Sequence, residues 1–312
     1  MCTCINVFSR SNLFGRTLDI EYSFNEQIIL VPRNFPITFK KEKAINTHLG
    51  IYGIGTVIDN YPLFSDCSNE KGLSFASLNF VNNAYFNKAN KVDINLTNYE
   101  LPLYLLSKCK NLKEVKLLLK KINIIDIPIN KKTPTSELHF MMSYKNQSIV
   151  IEVTKEGLSV YDNPYHVLTN NPPFTYHKYN LFLYSSLSNK ESSKSFFIPP
   201  KEAFSNGLGG INLPGDYSSP SRFIRAFFIK EIMEDKDDIN TFFKCLDNVS
   251  LIKGVVNTSL GNEYTLYTSC YDVKKLTLYY KTYDDNIISN IKFSKNDFNK
   301  NNLITYPMKK AR

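Results

Sequence analysis

Hydrophobic and polar residues alternate from the second residue of the chain onward. Cys2–Phe8 and Asn12–Ile20 read as two β-strands joined by the polar turn Ser9-Arg10-Ser11, because successive strand side chains point to opposite faces. Gly15 marks a point where a neighbouring backbone approaches closely. Gln27–Val31 is a further apolar strand, ended by Pro32, and residues 47–59, with Gly50, Gly53 and Gly55, read as another strand pair. Residues 71–80 (KGLSFASLNF) alternate before a bend at Asn82-Asn83.

The period then changes. Thr97-Asn98-Tyr99-Glu100 has capping-box spacing ahead of an apolar run and predicts a helix to about Cys109, with Pro102 tolerated near its start. Residues 111–121 (NLKEVKLLLKK) repeat their apolar positions at helical spacing. Strands return at 138–143, 148–153 and 158–161, Asn170-Asn171-Pro172-Pro173 breaks the chain, and a helix is expected over 176–187. Residues 207–216, rich in glycine, read as a loop. Ser219 is then expected to cap a helix with Pro220 at its first position, running to about Met233. A solvated acidic turn over 234–238 precedes a shorter helix at 239–246, and strands at 264–269, 274–283 and 287–293 close the chain. Strand runs, helix runs and strand runs again predict α+β layers, with 1–312 as one domain.

At 312 residues and 43% hydrophobic, the chain can bury a sizeable core. No stretch approaches the roughly 18–20 apolar residues of a membrane span. The N-terminus lacks the basic, apolar and small-residue zones of a secretory leader, so a cytoplasmic protein is expected. The net charge of +9 is spread over single lysines and lysine pairs rather than gathered into a stripe, which argues against a nucleic-acid partner. Such a field favours small anionic substrates, or is no more than a lysine-rich surface. Of six cysteines only Cys2 and Cys4 are close together, and the four histidines are equally dispersed. Neither a metal nor a cofactor is expected, and the thiols are expected to be reduced.

Four places carry candidate chemistry. Cys2 follows the initiator methionine, and its small side chain permits aminopeptidases to remove Met1. The new N-terminus would carry a thiol and an α-amine on one carbon, with reference pKa values of about 8.5 and about 7.7–8.0. The amine can then take the thiol proton, making one residue both nucleophile and base; the alternative is a buried structural cysteine at the start of a strand. Arg16 and Asp19 lie on the second strand, where pairing with the first brings them near Cys2; an arginine there stabilises a thiolate and a carboxylate holds or orients the amine, unless the two form an ordinary strand-edge ion pair. Asn170 and Asn171 offer amides suited to an oxyanion hole, or simply a turn before proline. Arg222 sits in the first turn of a helix, against the macrodipole, which points to a role elsewhere unless it is an ordinary surface arginine.

Six segments occur together in order: MCT at the start, FGRTLDIEYSFN (14–25), KGLSFASLNF (71–80), NYELPLYLLSKC (98–109), YDNPYHVLTNNP (161–172) and LPGDYSSPSRFIRAFF (213–228). In that order and spacing the chain resembles the choloylglycine hydrolase family, the bile salt hydrolases and penicillin V acylases. The resemblance implies an N-terminal nucleophile hydrolase with a four-layer αββα sandwich, a bacterial cytoplasmic homotetramer without cofactor. It implies Cys2 as nucleophile, Arg16 and Asp19 as the site pair, Asn79 as a backbone oxyanion donor, Asn170 as the side-chain donor and Arg222 as the distal arginine. The Asn at position 79 and the run DIEYSFN resemble the bile salt branch, whose substrates are glycine- or taurine-conjugated bile salts. Aromatic loops at Tyr22 to Phe24, Phe64 and residues 128–135 are expected to line the steroid pocket. His166 stands where the family commonly has glycine, and Val81-Asn82-Asn83 replaces its usual Pro-Gly-Tyr. The alternatives are a penicillin V acylase or another N-acyl amidase, such as one cleaving acyl-homoserine lactones, and a non-enzymatic bile-acid-binding protein. A Cys–His protease is disfavoured because no histidine precedes His48.

Overall fold

The computed structural model describes residues 1–131, 133–190 and 206–309. In chain order the elements begin β1 (Cys2–Phe8), β2 (Asn12–Ile20), β3 (Gln27–Val31), β4 (Ile51–Ile58), β5 (Tyr61–Asn69), β6 (Ser74–Asn79) and β7 (Ile94–Thr97). There follow α1 (Leu101–Lys108), α2 (Leu112–Leu119), β8 (Ile122–Ile125), β9 (Leu138–Tyr144), β10 (Gln147–Thr154), β11 (Gly157–Asp162), β12 (Val167–Leu168) and α3 (Phe174–Asn180). The chain continues through α4 (Ser219–Ile232), α5 (Ile239–Asp247), β13 (Val256–Thr258), β14 (Gly261–Asp272), β15 (Thr277–Thr282), β16 (Ser289–Lys292) and β17 (Ile304–Pro307).

Two antiparallel sheets stack face to face. One runs β12-β1-β2-β14-β15-β16, with β13 beside β14; the other runs β11-β10-β9-β6-β5-β4-β3-β17. Helices α4 and α5 cover the outer face of the first through β1, β2, β12 and β14, and α1 and α2 cover the second through β4, β5, β6, β9 and β10. The order is therefore the expected αββα sandwich. Strands buried on both faces follow from that layering: β1 is buried from Cys2 through Val7 and β2 from Asn12 through Asp19. Gly15 is required by the close approach its strand makes, since a Cβ there would lie 2.0 Å from Ser269 O.

The bounds of β1, β2 and β3 are as expected, and β14 runs from Gly261 to Asp272 where 264–269 is expected; several other expectations need correcting. Residues 47–59 hold one strand, β4, whose partner is the unpredicted β5 across a hairpin at Asp59-Asn60. The cap of α4 is Ser218, whose Oγ accepts from Ser221 N–H, rather than Ser219. The capping box before α1 is half-built: Glu100 Oε2 accepts from Thr97 N–H at 2.8 Å, but the Thr97 hydroxyl makes no bond because Thr97 ends strand β7. The helix expected over 176–187 starts earlier, at Phe174, and tightens to a 3₁₀ turn at Leu181–Tyr184. The short strands β7, β8, β12, β13 and β17 carry no strong alternation of their own and pair only in tertiary context.

Candidate active site

The β1–β2 ladder sets the geometry. Its register pairs Cys2 with Leu18, Thr3 with Thr17 and Cys4 with Arg16. Strand alternation then sorts the side chains: Cys2, Cys4 and Arg16 face the second sheet, while Thr3, Thr17 and Asp19 face the helix layer over α4. Met1 extends the ladder by one pair, its ammonium donating to Asp19 O at 2.7 Å and its carbonyl accepting from Asp19 N–H at 2.9 Å. That ammonium also contacts the Glu263 carboxylate. Burial pulls the Met1 ammonium below its ordinary value.

Around the Cys2 backbone the side chains converge. Cys2 N–H donates to Asn170 Oδ1 at 2.6 Å. Arg222 Nη1 donates to Cys2 O at 2.6 Å and to Thr3 Oγ1 at 2.7 Å, and its Nη2 donates to Asn170 Oδ1 at 2.9 Å. Arg222 Nη1 lies 3.9 Å from Asp19 Oδ2, and both side chains are fully buried. Asp19 is itself held by the hydroxyls of Thr265, at 2.6 Å, and Thr17, at 3.2 Å. Burial works against the Arg222 charge, and Asp19 and Cys2 support it. The misfit of an arginine in a helix's first turn is thus resolved: it is spent on the start of β1.

Asn170 bridges the two sheets, its Nδ2 donating to Asn79 O at 2.9 Å. In the β6–β9 ladder Phe80 N–H donates to Glu137 O, so antiparallel alternation turns both polar groups of Asn79 to the other edge, toward Asn170. A carboxamide nitrogen carries two hydrogens, so Asn170 Nδ2 has a second to donate, and the Asn79 N–H points to the same edge of β6 as the carbonyl that Asn170 holds. Asn171 stands apart from this network and donates to Val81 O. Asn170, not its neighbour, is the one joined to Cys2.

Arg16 enters from the inter-sheet face. Its Nε donates to Thr17 O at 3.1 Å, and its Nη1 donates to Ser65 O at 3.1 Å and to Ser77 O. Pairing of β5 with β6 runs only from Asp66–Ala76 to Ser68–Ser74, so the guanidinium occupies the point where those strands part, two residues before Asn79. Burial opposes its charge, yet Cys2, Tyr267 and Asp66 hold Arg16 above its ordinary value. Burial pushes the thiols of Cys4, Cys67 and Cys270 well up, Cys109 to about 11 and Cys245 to about 12, which disfavours those five as nucleophiles.

Sequence reading missed the support behind Asn170. His139 Nε2 donates to Thr169 O at 2.8 Å and His177 Nε2 to Asn170 O at 2.9 Å, since carbonyls only accept. His139 Nδ1 meets Glu152 at 3.2 Å, and Ser219 Oγ accepts from Asn170 N–H at 2.8 Å. Burial pulls His177 down to about 4. Nothing in the spacing of these residues announces the role, because they come from four separate elements. His166 has φ +55°, in the left-handed region, which is the physical reason glycine suits that position. Of the expected pocket residues, Tyr22 is exposed and Phe24 half-buried against the core that holds Cys2. Phe64 is not a loop residue; it lies in β5 and is buried in the other core, under α1 and α2. Within 128–135, residue 132 lies outside the described residues.

The chain from Cys2 onward matches a known sequence family. Residues 2–306 fit the model of the linear amide C–N hydrolases, choloylglycine hydrolase family. This chain belongs to that family. It is 40% identical to a bile salt hydrolase/transferase of Lactiplantibacillus plantarum, over 99% of this chain and 97% of that one. It is also 40% identical to a protein of the same description from Clostridium perfringens, over 100% and 98%. The C2A mutant of the Clostridium perfringens conjugated bile acid hydrolase superposes with a TM-score of 0.93 at 39% identity, covering 100% of this chain and 98% of that one. A penicillin V acylase from Agrobacterium tumefaciens shares the fold, with a TM-score of 0.78 at 17% identity over 99% and 92%. This choloylglycine hydrolase family member is therefore a linear amide C–N hydrolase. Among its described residues, no helix is long and apolar enough to cross a membrane.

Proposed function

We propose that this chain hydrolyses the amide bond of glycine- or taurine-conjugated bile salts, with Cys2, made N-terminal by loss of Met1, as the nucleophile. The observation that carries the reading is the clamp on Cys2: its nitrogen rests on Asn170 Oδ1 and its carbonyl on Arg222. Once Met1 is gone that nitrogen is a free amine held in place, beside a thiol on the Arg16 face of β1. The relatives described as bile salt and conjugated bile acid hydrolases support the substrate class.

The α-amine takes the thiol proton and the thiolate attacks the amide carbon. Negative charge gathers on the former carbonyl oxygen, where the Asn79 N–H and the second Nδ2 hydrogen of Asn170 stabilise it; donors of this kind act through charge that appears only in the transition state. The C–N bond breaks as the α-ammonium returns its proton to the departing amino acid. Water, deprotonated by the same amine, then cleaves the thioester, releasing the bile acid and restoring the thiol. Arg16 and Arg222 supply positive potential at opposite faces of β1, and Asp19 balances Arg222.

Initial rates on glycocholate, taurocholate and penicillin V with one processed preparation test the reading. Turnover of either bile salt exceeding that of penicillin V is expected. Preference for penicillin V moves the substrate class to the acylases, and stoichiometric bile acid binding without turnover of any amide contradicts an enzymatic role.

A further inference from the structure

One buried acid of the inter-sheet core takes no part in the chemistry above. Asp66 lies on β5 with no exposed surface, and β14 surrounds its carboxylate with hydroxyls. Tyr267 Oη donates to Oδ1 at 2.5 Å, and Ser269 Oγ and Tyr271 Oη lie 2.8 Å from Oδ2. Each contact ties the eight-stranded sheet to the seven-stranded one. One of them, Ser269, also meets Arg16. Ser269 is its partner across the β2–β14 ladder, and Ser269 Oγ accepts from Arg16 N–H at 3.3 Å while donating to Asp66. Ser65, immediately before Asp66, supplies the carbonyl that holds Arg16 Nη1. Arg16 Nη2 has no hydrogen-bond partner among the described residues, so the guanidinium depends on how these neighbours are placed.

We propose that Asp66 is a positioning residue: through Ser269 and the Ser65 segment it fixes the Arg16 guanidinium at the split between β5 and β6, beside Cys2. This rests on Cys2 being the nucleophile. Burying a carboxylate between two sheets is unfavourable unless its oxygens are bonded, and here one of the bonds comes from Ser269, whose Oγ also accepts from the Arg16 backbone N–H. Burial raises its carboxyl, while Arg16 and the three hydroxyls oppose that rise. The site's charge is thereby set from behind as well as from the cleft: Asp19 and Arg222 act on one side of β1, and Arg16, Asp66 and Tyr267 on the other.

Asp66→Asn preserves size and one acceptor but removes the charge. The expected result is a fall in kcat of about tenfold or more with KM within about twofold, because a small displacement of a site group costs rate more than binding. The rate at which iodoacetamide alkylates Cys2, located by mass spectrometry, should change with it. Ser269→Ala, which removes the link between Arg16 and Asp66, should lower kcat in the same direction by a smaller factor. A residue that merely stiffens the sheets would lower Tm and leave kcat and Cys2 alkylation unmoved in the folded fraction, and that result overturns the proposal. If Asp66→Asn does not fold, Ser269→Ala decides on the same two readouts. Should the wild-type chain cleave no bile salt, the substrate reading fails, while the alkylation comparison still decides the role of Asp66.

Discussion

The two sides of the eight-stranded sheet are built for different ends. Under α1 and α2 the core is mainly apolar, with Leu101, Leu103, Leu105 and Leu106 of α1 fully buried in one cluster with Phe75, Phe140 and Ile151, and its buried polar groups, such as Asn69, bond backbone carbonyls. On the opposite side, Arg16, Asp66 and Ser269 are buried among aromatic rings, and beyond β1 lie Asp19, Asn170 and Arg222. Apolar packing holds one core together without specifying much else. The other spends hydrogen bonds on charges that an apolar core would not need, and those bonds end on Cys2 or on the residues beside it. Concentrated buried polarity of this kind marks a functional centre.

Substitutions on the two sides should therefore separate activity from stability. Cys2→Ala is expected to reduce bile salt turnover by about 10⁴-fold or more, while costing no more than about 1 kcal/mol of stability. Steady-state rates and thermal melts on the same sample check both halves; substantial residual turnover would remove Cys2 from the chemistry. Leu103→Ala, beneath the far helix layer, should do the reverse. Losing that side chain from a closely packed core costs about 2–5 kcal/mol, with kcat per folded molecule within about twofold of wild type. A large loss of kcat in that folded variant would show that the two regions are coupled.

A pH effect should appear on the site side. Burial holds His177 at about 4 in the folded chain, against an ordinary value of 6.5. Between those values the unfolded chain binds the additional proton, so the stability this residue contributes is complete above about 6.5 and is lost as pH falls toward 4. The loss amounts to at most about 3 kcal/mol. His177→Gln, which keeps a donor for Asn170 O, should flatten that slope in denaturant melts from pH 7 to pH 4; an unchanged slope assigns the acid sensitivity elsewhere. The smallest effect belongs to the far side: Asn111→Ala removes the cap of α2, a 3.1 Å bond from Glu114 N–H. It should cost about 1 kcal/mol and leave turnover unaltered.

How legible each region was in the sequence follows the same division. Alternation revealed β1, β2 and β3 to the residue, and periodicity revealed α2 and α5, because those signals are local. The family resemblance singled out Cys2, Asn79, Asn170 and Arg222, which the fold brings into one hydrogen-bonded chain from β1, β6, α4 and the segment after β12. Spacing could not reveal His139, His177 or Asp66: each acts through a partner at least seven residues away in sequence, and the reason for its polarity exists only after the sheets stack. The missed hairpin at Asp59-Asn60 has the same origin, since glycines in β4 suggested a turn where they instead admit close backbone contact. A Cβ on Gly53 would lie 2.3 Å from Asp66 O, and one on Gly55 2.0 Å from Leu63 O.

The central claim is that a free α-amine on Cys2 makes this chain a hydrolase. With Met1 attached, that nitrogen is an amide, and the Met1–Cys2 bond is locked at both ends by Asp19 and Asn170. The most direct test separates processed from Met1-retaining protein by intact mass and assays each fraction on glycocholate and taurocholate. Turnover confined to the fraction lacking Met1, with glycine or taurine released, is the predicted result. Equal turnover by the fraction that keeps Met1 would contradict it.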